Sequence, residues 1–202
     1  MYCFDVIVNR LTGYTLAAPE FDTTLKYGIF VTLHKLAGSR RDLRGCIGCL
    51  APIPLENMRK YAIYSAFRDN RFSPVMLEEI PHLECEVSLL HSFEKVCDPL
   101  DWVVGKHGII IDFEVDGESF SATYLPEVAQ EQGWDQKTTL KYLVSKAGYF
   151  FTDDLLDAIE VTRYQTEKDF MKFEEYVKMT KERGRDVTTV FKIGRASCRE
   201  RV

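Results

Sequence analysis

The run Leu43-Arg44-Gly45-Cys46-Ile47-Gly48-Cys49 brings a guanidinium, two thiols and two glycines together in a short apolar stretch. In an extended strand, Leu43, Gly45 and Ile47 share one face, and Arg44 and Cys46 share the other. Such neighbours lie about 7 Å apart at the backbone, within an arginine's reach. A guanidinium so placed lowers a thiol from about 8.5 into the ~3.5 to 7.5 range of activated cysteines. Gly45 and Gly48 weaken a strand for packing but let a backbone or ligand approach closely. The same residues equally describe a small buried cysteine beside a bulge, with no chemistry attached.

Cys46 and Cys49 form a CxxC pair. Structural zinc needs four ligands, and no second CxxC or HxxxH completes the set; dithiol chemistry favours a helix N-terminus, whereas these residues read as strand. No metal is expected. The segment Asp69-Asn70-Arg71-Phe72-Ser73-Pro74 supplies Arg71 for an anion and Asp69 to orient that arginine or act as a base. It also fits a plain helix exit with a surface ion pair. His107, between Gly105 and Gly108, is either a turn residue or a group titrating near neutrality beside a substrate. Glu84 and Glu86 share a strand face, as an acid–base pair or as a solvated surface. Glu127 completes the proton-transfer candidates, while His34, His82 and His91 read as surface or edge residues. Phosphate-cradling GxxxxGK[ST], dinucleotide GxGxxG and hydrolase GxSxG patterns are missing from the sequence.

Several elements must position these groups. Helical spacing predicts a helix over residues 1–11. Alternation predicts a strand over 26–36 with Tyr27, Ile29, Val31 and Leu33 on one face, a polar turn over 38–42, and a hairpin partner over 43–50. A helix follows over 55–68, then a strand over 83–90 with one wet or ligand-facing side. Asp116-Gly117 joins strands 108–115 and 119–124 in a two-residue hairpin turn. Pro126 opens a helix to 132, a second helix runs over 137–147 to a glycine cap at Gly148, a strand spans 158–164, and a charged helix spans 173–183. Strands and helices come in groups rather than in βαβ alternation, which predicts an α+β fold: a mixed or antiparallel sheet with helices packed on it.

The chain has 202 residues, 46% hydrophobic and 28% charged, a globular composition that excludes disorder and collagen-like repeats. No apolar run approaches the roughly 18 to 20 residues of a membrane span, so an intracellular protein is expected. Residues 193–202, IGRASCRERV, lack hydrophobic period and match the translation of a common sequencing-library adapter, so the native domain is taken as 1–192. Setting aside Arg195, Arg199, Arg201 and Glu200 moves the net charge from −5 to about −7. That acidic balance argues against nucleic acid, and the basic cluster Lys172, Lys178, Lys181, Arg183 and Arg185 reads as the solvated face of the last helix. Cys3, Cys46, Cys49, Cys85 and Cys97 form an odd set without a secretory signal and read as reduced thiols.

The sequence resembles the AMMECR domain family, named for the Alport syndrome, midface hypoplasia and elliptocytosis chromosomal region. The likeness rests on LRGCIG together with CFDV at 3–6, DNRFSP at 69–74, VSLL at 87–90, DWVVGKHGI at 101–109, ATYLPEVAQEQGWD at 122–135 and VTRY at 161–164. It implies an α+β fold with a larger and a smaller lobe and a cleft lined by LRGCIG. Arg44, Gly45, Cys46, Ile47 and Gly48 match the signature, and Asp69, Arg71 and Phe72 match its accompanying loop. Cys49 departs from the family, where relatives carry threonine or another small residue, so the CxxC is not part of the signature. Family members are linked with the cytosol and nucleus. In prokaryotic genomes similar domains adjoin Memo-type and radical-SAM proteins, which implies a shared pathway and a Memo-type or other protein partner.

Two functional expectations follow. In the first, Cys46 is the nucleophile or redox thiolate of an enzyme, Arg44 activates it or holds an anionic small-molecule substrate, Asp69 and Arg71 complete the pocket, and Glu84, His107 and Glu127 move protons. In the second, the same cleft is a non-catalytic regulatory or adaptor surface binding a protein partner, and Cys46 merely packs. No cofactor is assigned by either.

Overall fold

Alternating apolar residues at Ile29, Val31 and Leu33 build β1 (Lys26–Ala37), which turns tightly at Gly38 and Ser39 into β2 (Arg40–Pro54). The computed structural model describes residues 1–191; the adapter-like segment 193–202 lies outside them. The remaining strands are β3 (Leu83–Val96), β4 (Gly108–Val115), β5 (Glu118–Tyr124) and β6 (Glu160–Lys172). Together they form one six-stranded sheet in the order β2-β1-β3-β6-β4-β5, with β2 and β5 at its edges. The helices are α1 (Tyr2–Thr12), α2 (Met58–Phe67), α3 (Pro126–Gln132), α4 (Gln136–Lys146) and α5 (Phe173–Glu182). The fold is α+β, and among the described residues no helix is long and apolar enough to cross a membrane.

The chain divides into two compact units, Leu90–Glu167 and the remainder. In the first unit, made by residues up to Leu89 and from Lys168 onward, Phe4, Ile7, Ile29, Leu33, Ala62 and Ile80 are fully buried in a single core. Tyr176 of α5 is buried there too; its hydroxyl donates to Asp5 of α1 at 2.9 Å, and Arg185 donates to the same carboxylate at 2.9 Å. In the second unit Trp102, Ile111, Leu140 and Val161 centre a separate core. There β4 and β5 pair antiparallel about Asp116 (φ 53) and Gly117 (φ 81), the left-handed pair that a two-residue hairpin turn requires.

Several expected boundaries move: the strand expected over 83–90 runs on to Val96, and the one expected over 43–50 spans Arg40–Pro54. The helix expected over 55–68 starts as a 3-10 turn, Leu55–Asn57, before α2 begins. Residues Asp153–Ala158 form another 3-10 turn, so the strand expected over 158–164 begins at Glu160 and runs on to Lys172. The hairpin turn is shorter than the polar run suggests because Arg40, Arg41 and Asp42 already pair with β1.

Candidate functional site

Helix α2 lies along β2 through a row of side chains spaced four apart, one helical turn per step. Tyr61 meets the Cys49 thiol, Ser65 meets Ile47, and Asp69, just beyond the helix, meets Cys46. Contact this close depends on Gly45, where a Cβ would run into the Ser65 carbonyl oxygen. The buried Ser65 hydroxyl sits within the hairpin ladder, accepting from Ile47 N–H at 2.9 Å and donating to the Val31 carbonyl at 2.6 Å.

Asp69 is nearly fully buried, at 4% exposure. Its carboxylate accepts from the Cys46 backbone N–H (2.9 Å), the Arg71 backbone N–H (3.1 Å), Arg71 Nε (2.9 Å) and Arg71 Nη2 (2.6 Å). Arg71 Nη2 also donates to the Cys46 carbonyl at 3.1 Å. The guanidinium, aided by both backbone donors, holds the Asp69 carboxyl well below the usual carboxylate range despite burial. Asp69 is thus an ionised acceptor with its lone pairs taken: it orients Arg71 rather than serving as a base.

The expected pairing of Arg44 with Cys46 does not form. Leu33 pairs with Gly45 and His34 with Leu43, leaving Arg44 as the extra residue of a β-bulge, so simple alternation fails across it. Leu43 is exposed, whereas Arg44 is buried and reaches Glu79 through Nε (3.0 Å) and Nη2 (2.9 Å). That bidentate contact lowers the Glu79 carboxyl to about 2. Arg44 Nη1 is buried with no hydrogen-bond partner among the described residues. The Phe72 ring is flanked by two guanidinium carbons, Arg44 at 5.9 Å and Arg71 at 5.5 Å, both within cation–π range.

Cys46 pairs with Thr32 across the ladder, and the Thr32 hydroxyl donates to its sulfur at 3.2 Å. Burial pushes the thiol up, the Thr32 contact and the Arg71 charge pull it down less, and Asp69 and Glu86 add to the rise. Arg44, turned to Glu79, is not placed to activate the thiol; the cation beside Cys46 is Arg71, which is paired with Asp69. Cys49 pairs with Ile29, an odd number of residues along β2, so the two thiols of the CxxC project from opposite faces and do not form a chelating pair.

Glu84 and Glu86 do not form a wet face. Glu84 is buried at 4% exposure, and Arg41 clamps both carboxylates, through Nε to Glu84 and Nη2 to Glu86, each at 2.7 Å. Lys168 adds a contact to Glu86 at 3.7 Å. His34, expected at the surface or an edge, has a buried Nδ1 that lies 4.0 Å from Glu84 and has no hydrogen-bond partner among the described residues; burial lowers its pKa. Thr32, His34, Arg41 and Glu79 are the polar neighbours the sequence reading missed. Only the two-residue repeat linking Thr32, His34 and Leu36 in β1 signals that two of them share a face.

The other two proton-transfer candidates belong to the second unit. His107 closes a turn in which Val103 N–H donates to its Nδ1 at 3.0 Å, leaving the proton on Nε2, and burial lowers its pKa. Gly108, next in sequence, lies flat against the Tyr164 ring, where a Cβ would clash. Glu127 stands in the first turn of α3, and its charge adds to the burial that pushes Tyr164 up to about 12. The Tyr164 hydroxyl is held by Thr123 and the Tyr124 carbonyl, each at 3.1 Å. Among the described residues no cluster of three histidine, cysteine or acidic side chains has the geometry to hold a metal.

An uncharacterised protein of Arabidopsis thaliana is 41% identical over 187 residues, covering 90% of this chain and 87% of its own. One from Schizosaccharomyces pombe is 40% identical over 180 residues, covering 87% and 92%. The crystal structure of an uncharacterised protein from Pyrococcus horikoshii superposes with a TM-score of 0.63 at 32% identity, covering 84% of this chain and 90% of that one. The AMMECR1 family model matches residues 1–169, spanning the LRGCIG strand, the Asp69–Phe72 loop and the second unit. By this match and by its relatives in plants, fungi and archaea, the chain belongs to the AMMECR1 family.

Proposed function

We propose that this chain is a non-catalytic intracellular binding module that recognises an anionic group on a protein partner through Arg71, Phe72 and the LRGCIG strand. The observation that carries this reading is the state of the carboxylates around Cys46. Asp69 is occupied by Arg71, Glu79 by Arg44, and Glu84 and Glu86 by Arg41. A thiol whose pKa is raised by burial, with the neighbouring carboxylates engaged by arginines, is a poor nucleophile. Donor capacity is left over on Arg71 instead: its side chain is half exposed, and Asp69 and the Cys46 carbonyl engage only its Nε and Nη2. Arginine presented beside an aromatic ring suits recognition of carboxylates or phosphates at an interface.

A cysteine-dependent enzyme is the competing reading, favoured by the Thr32 and Arg71 contacts around the thiol. Capture of partners, a Memo-type protein among them, by immobilised wild-type, Arg71→Ala and Cys46→Ala chains separates the two. Binding lost in Arg71→Ala and kept in Cys46→Ala supports the module. Loss in Cys46→Ala alone, with a covalent adduct at Cys46 in the wild type, overturns it.

A further inference from the structure

Resting on the module reading, we infer that the free edge of β2 over residues 46–50 is the track on which the partner docks, as an acidic segment in extended conformation. The edge carries an imitation of a neighbouring strand. At Cys46 the backbone N–H and C=O that point away from β1 are both satisfied by side chains: Asp69 accepts as a strand carbonyl would, at 2.9 Å, and Arg71 donates as a strand amide would, at 3.1 Å. The two-residue strand repeat turns the N–H and C=O of Gly48 the same way, and among the described residues no side chain or loop takes them. The track is bounded by the bulge at Arg44 and by the irregular pairing after Cys49 that leads to Pro52, which has no N–H to offer. One filled rung followed by an unfilled one is the opening that strand addition uses.

Charge identifies the occupant. Around α2 the row facing β2 is Tyr61 and Ser65, and the neighbouring row, Ala62 and Ala66, is buried in the core. By helical spacing, the row on the flank opposite Ala62 and Ala66 is Lys60, Tyr64 and Arg68, with Lys60 Nζ 5.5 Å and the Arg68 guanidinium 5.0 Å from the Tyr64 ring centre. Between Met58 and Arg68 the helix has three basic residues and no acidic one, on a chain whose net charge is −5. A strand lying along β2 meets these cations and ends at Arg71. Main-chain hydrogen bonds to a sheet edge select a peptide over a nucleic acid, and the cations select an acidic one.

The test is fluorescence anisotropy with a short fluorescein-labelled peptide of alternating valine and glutamate, the same peptide N-methylated at alternate backbone nitrogens, and a uridine RNA of equal charge. The plain peptide is expected to bind. N-methylation and the double variant Lys60→Glu, Arg68→Glu should each weaken binding at least about tenfold, and the Gly48 amide should become protected from hydrogen exchange on binding. Equal binding of plain and N-methylated peptides overturns strand addition while leaving an anion-recognising module in place. Binding of RNA alone, or of no probe, also overturns the inference; the Arg71→Ala capture experiment then decides the module reading separately.

Discussion

Removing the Asp69 carboxylate should destabilise the first unit by an amount that follows from its four contacts. In Asp69→Ala the part-buried Cys46 N–H loses its acceptor, a loss of about 1 to 3 kcal/mol, and the charge-assisted Arg71 contacts, about 1.5 to 3 kcal/mol together, disappear. Arg71 is half exposed and recovers water, so the lower end applies to its share. The expected total is about 3 kcal/mol, or a fall of about 1.5 M in the urea midpoint for a slope near 2 kcal/mol per M. Asp69→Asn, which keeps an acceptor for Cys46 but loses the charge, should lose about half as much. Far-ultraviolet circular dichroism reports the transition, and fluorescence of Trp102 and Trp134, both in the second unit, serves as the control for a change confined to the first. Because the folded-state pKa of Asp69 is depressed, its contribution is fully present above the unfolded value of 3.8 and fades as pH falls through the lower folded value. The gap between wild type and Asp69→Ala should therefore be flat from pH 7 to about 4 and narrow below that. A loss under about 0.5 kcal/mol at pH 7, or a gap that widens in acid, would show that the carboxylate is not what secures the loop to β2.

Three further outcomes are expected. Iodoacetamide should label Cys46 more slowly than the exposed Cys97 at neutral pH, with a titration above the ordinary thiol value that Arg71→Ala moves higher still; rapid labelling of Cys46 at pH 7 would return it to the nucleophiles. Gly45→Ala should destabilise by at least about 2 kcal/mol, because its new methyl meets helix backbone that cannot swing away; a loss under about 1 kcal/mol would refute the contact. His107 should titrate below 6.5 in nitrogen-detected NMR with its proton on Nε2, and the stability it confers, complete above pH 6.5, should fade as pH drops through its lower folded value; a protonated Nδ1 at neutral pH would refute the Val103 bond.

Much of the framework was legible because periodicity and turn chemistry are local. Asp116-Gly117 announced the β4–β5 hairpin, and Ile29, Val31 and Leu33 announced the buried face of β1. The site was less so. A bulge adds one residue without changing composition, so nothing in LRGCIG says that Arg44 leaves the register and turns to Glu79. Glu84 looked solvated because its partner, Arg41, lies 43 positions earlier in the chain. The pairing of Asp69 with Arg71 could be read from their spacing, but their joint capture of the Cys46 backbone depends on where α2 lies, which only tertiary packing decides. The thiol's raised pKa has the same origin, since burial outweighs every nearby charge.

The Ser65 hydroxyl within the hairpin ladder ties three segments to one another's inheritance. Gly45 can take no side chain while the Ser65 carbonyl stands against it, and Ser65 can lose its hydroxyl only if Val31 and Ile47 close a rung now held open around it. Substitutions at these positions are therefore not independent trials: a change at one resets which changes at the others a descendant can survive. Strand β2 and helix α2 must drift as a unit, and the short motif is the visible part of a longer constraint whose other half is written some twenty residues downstream.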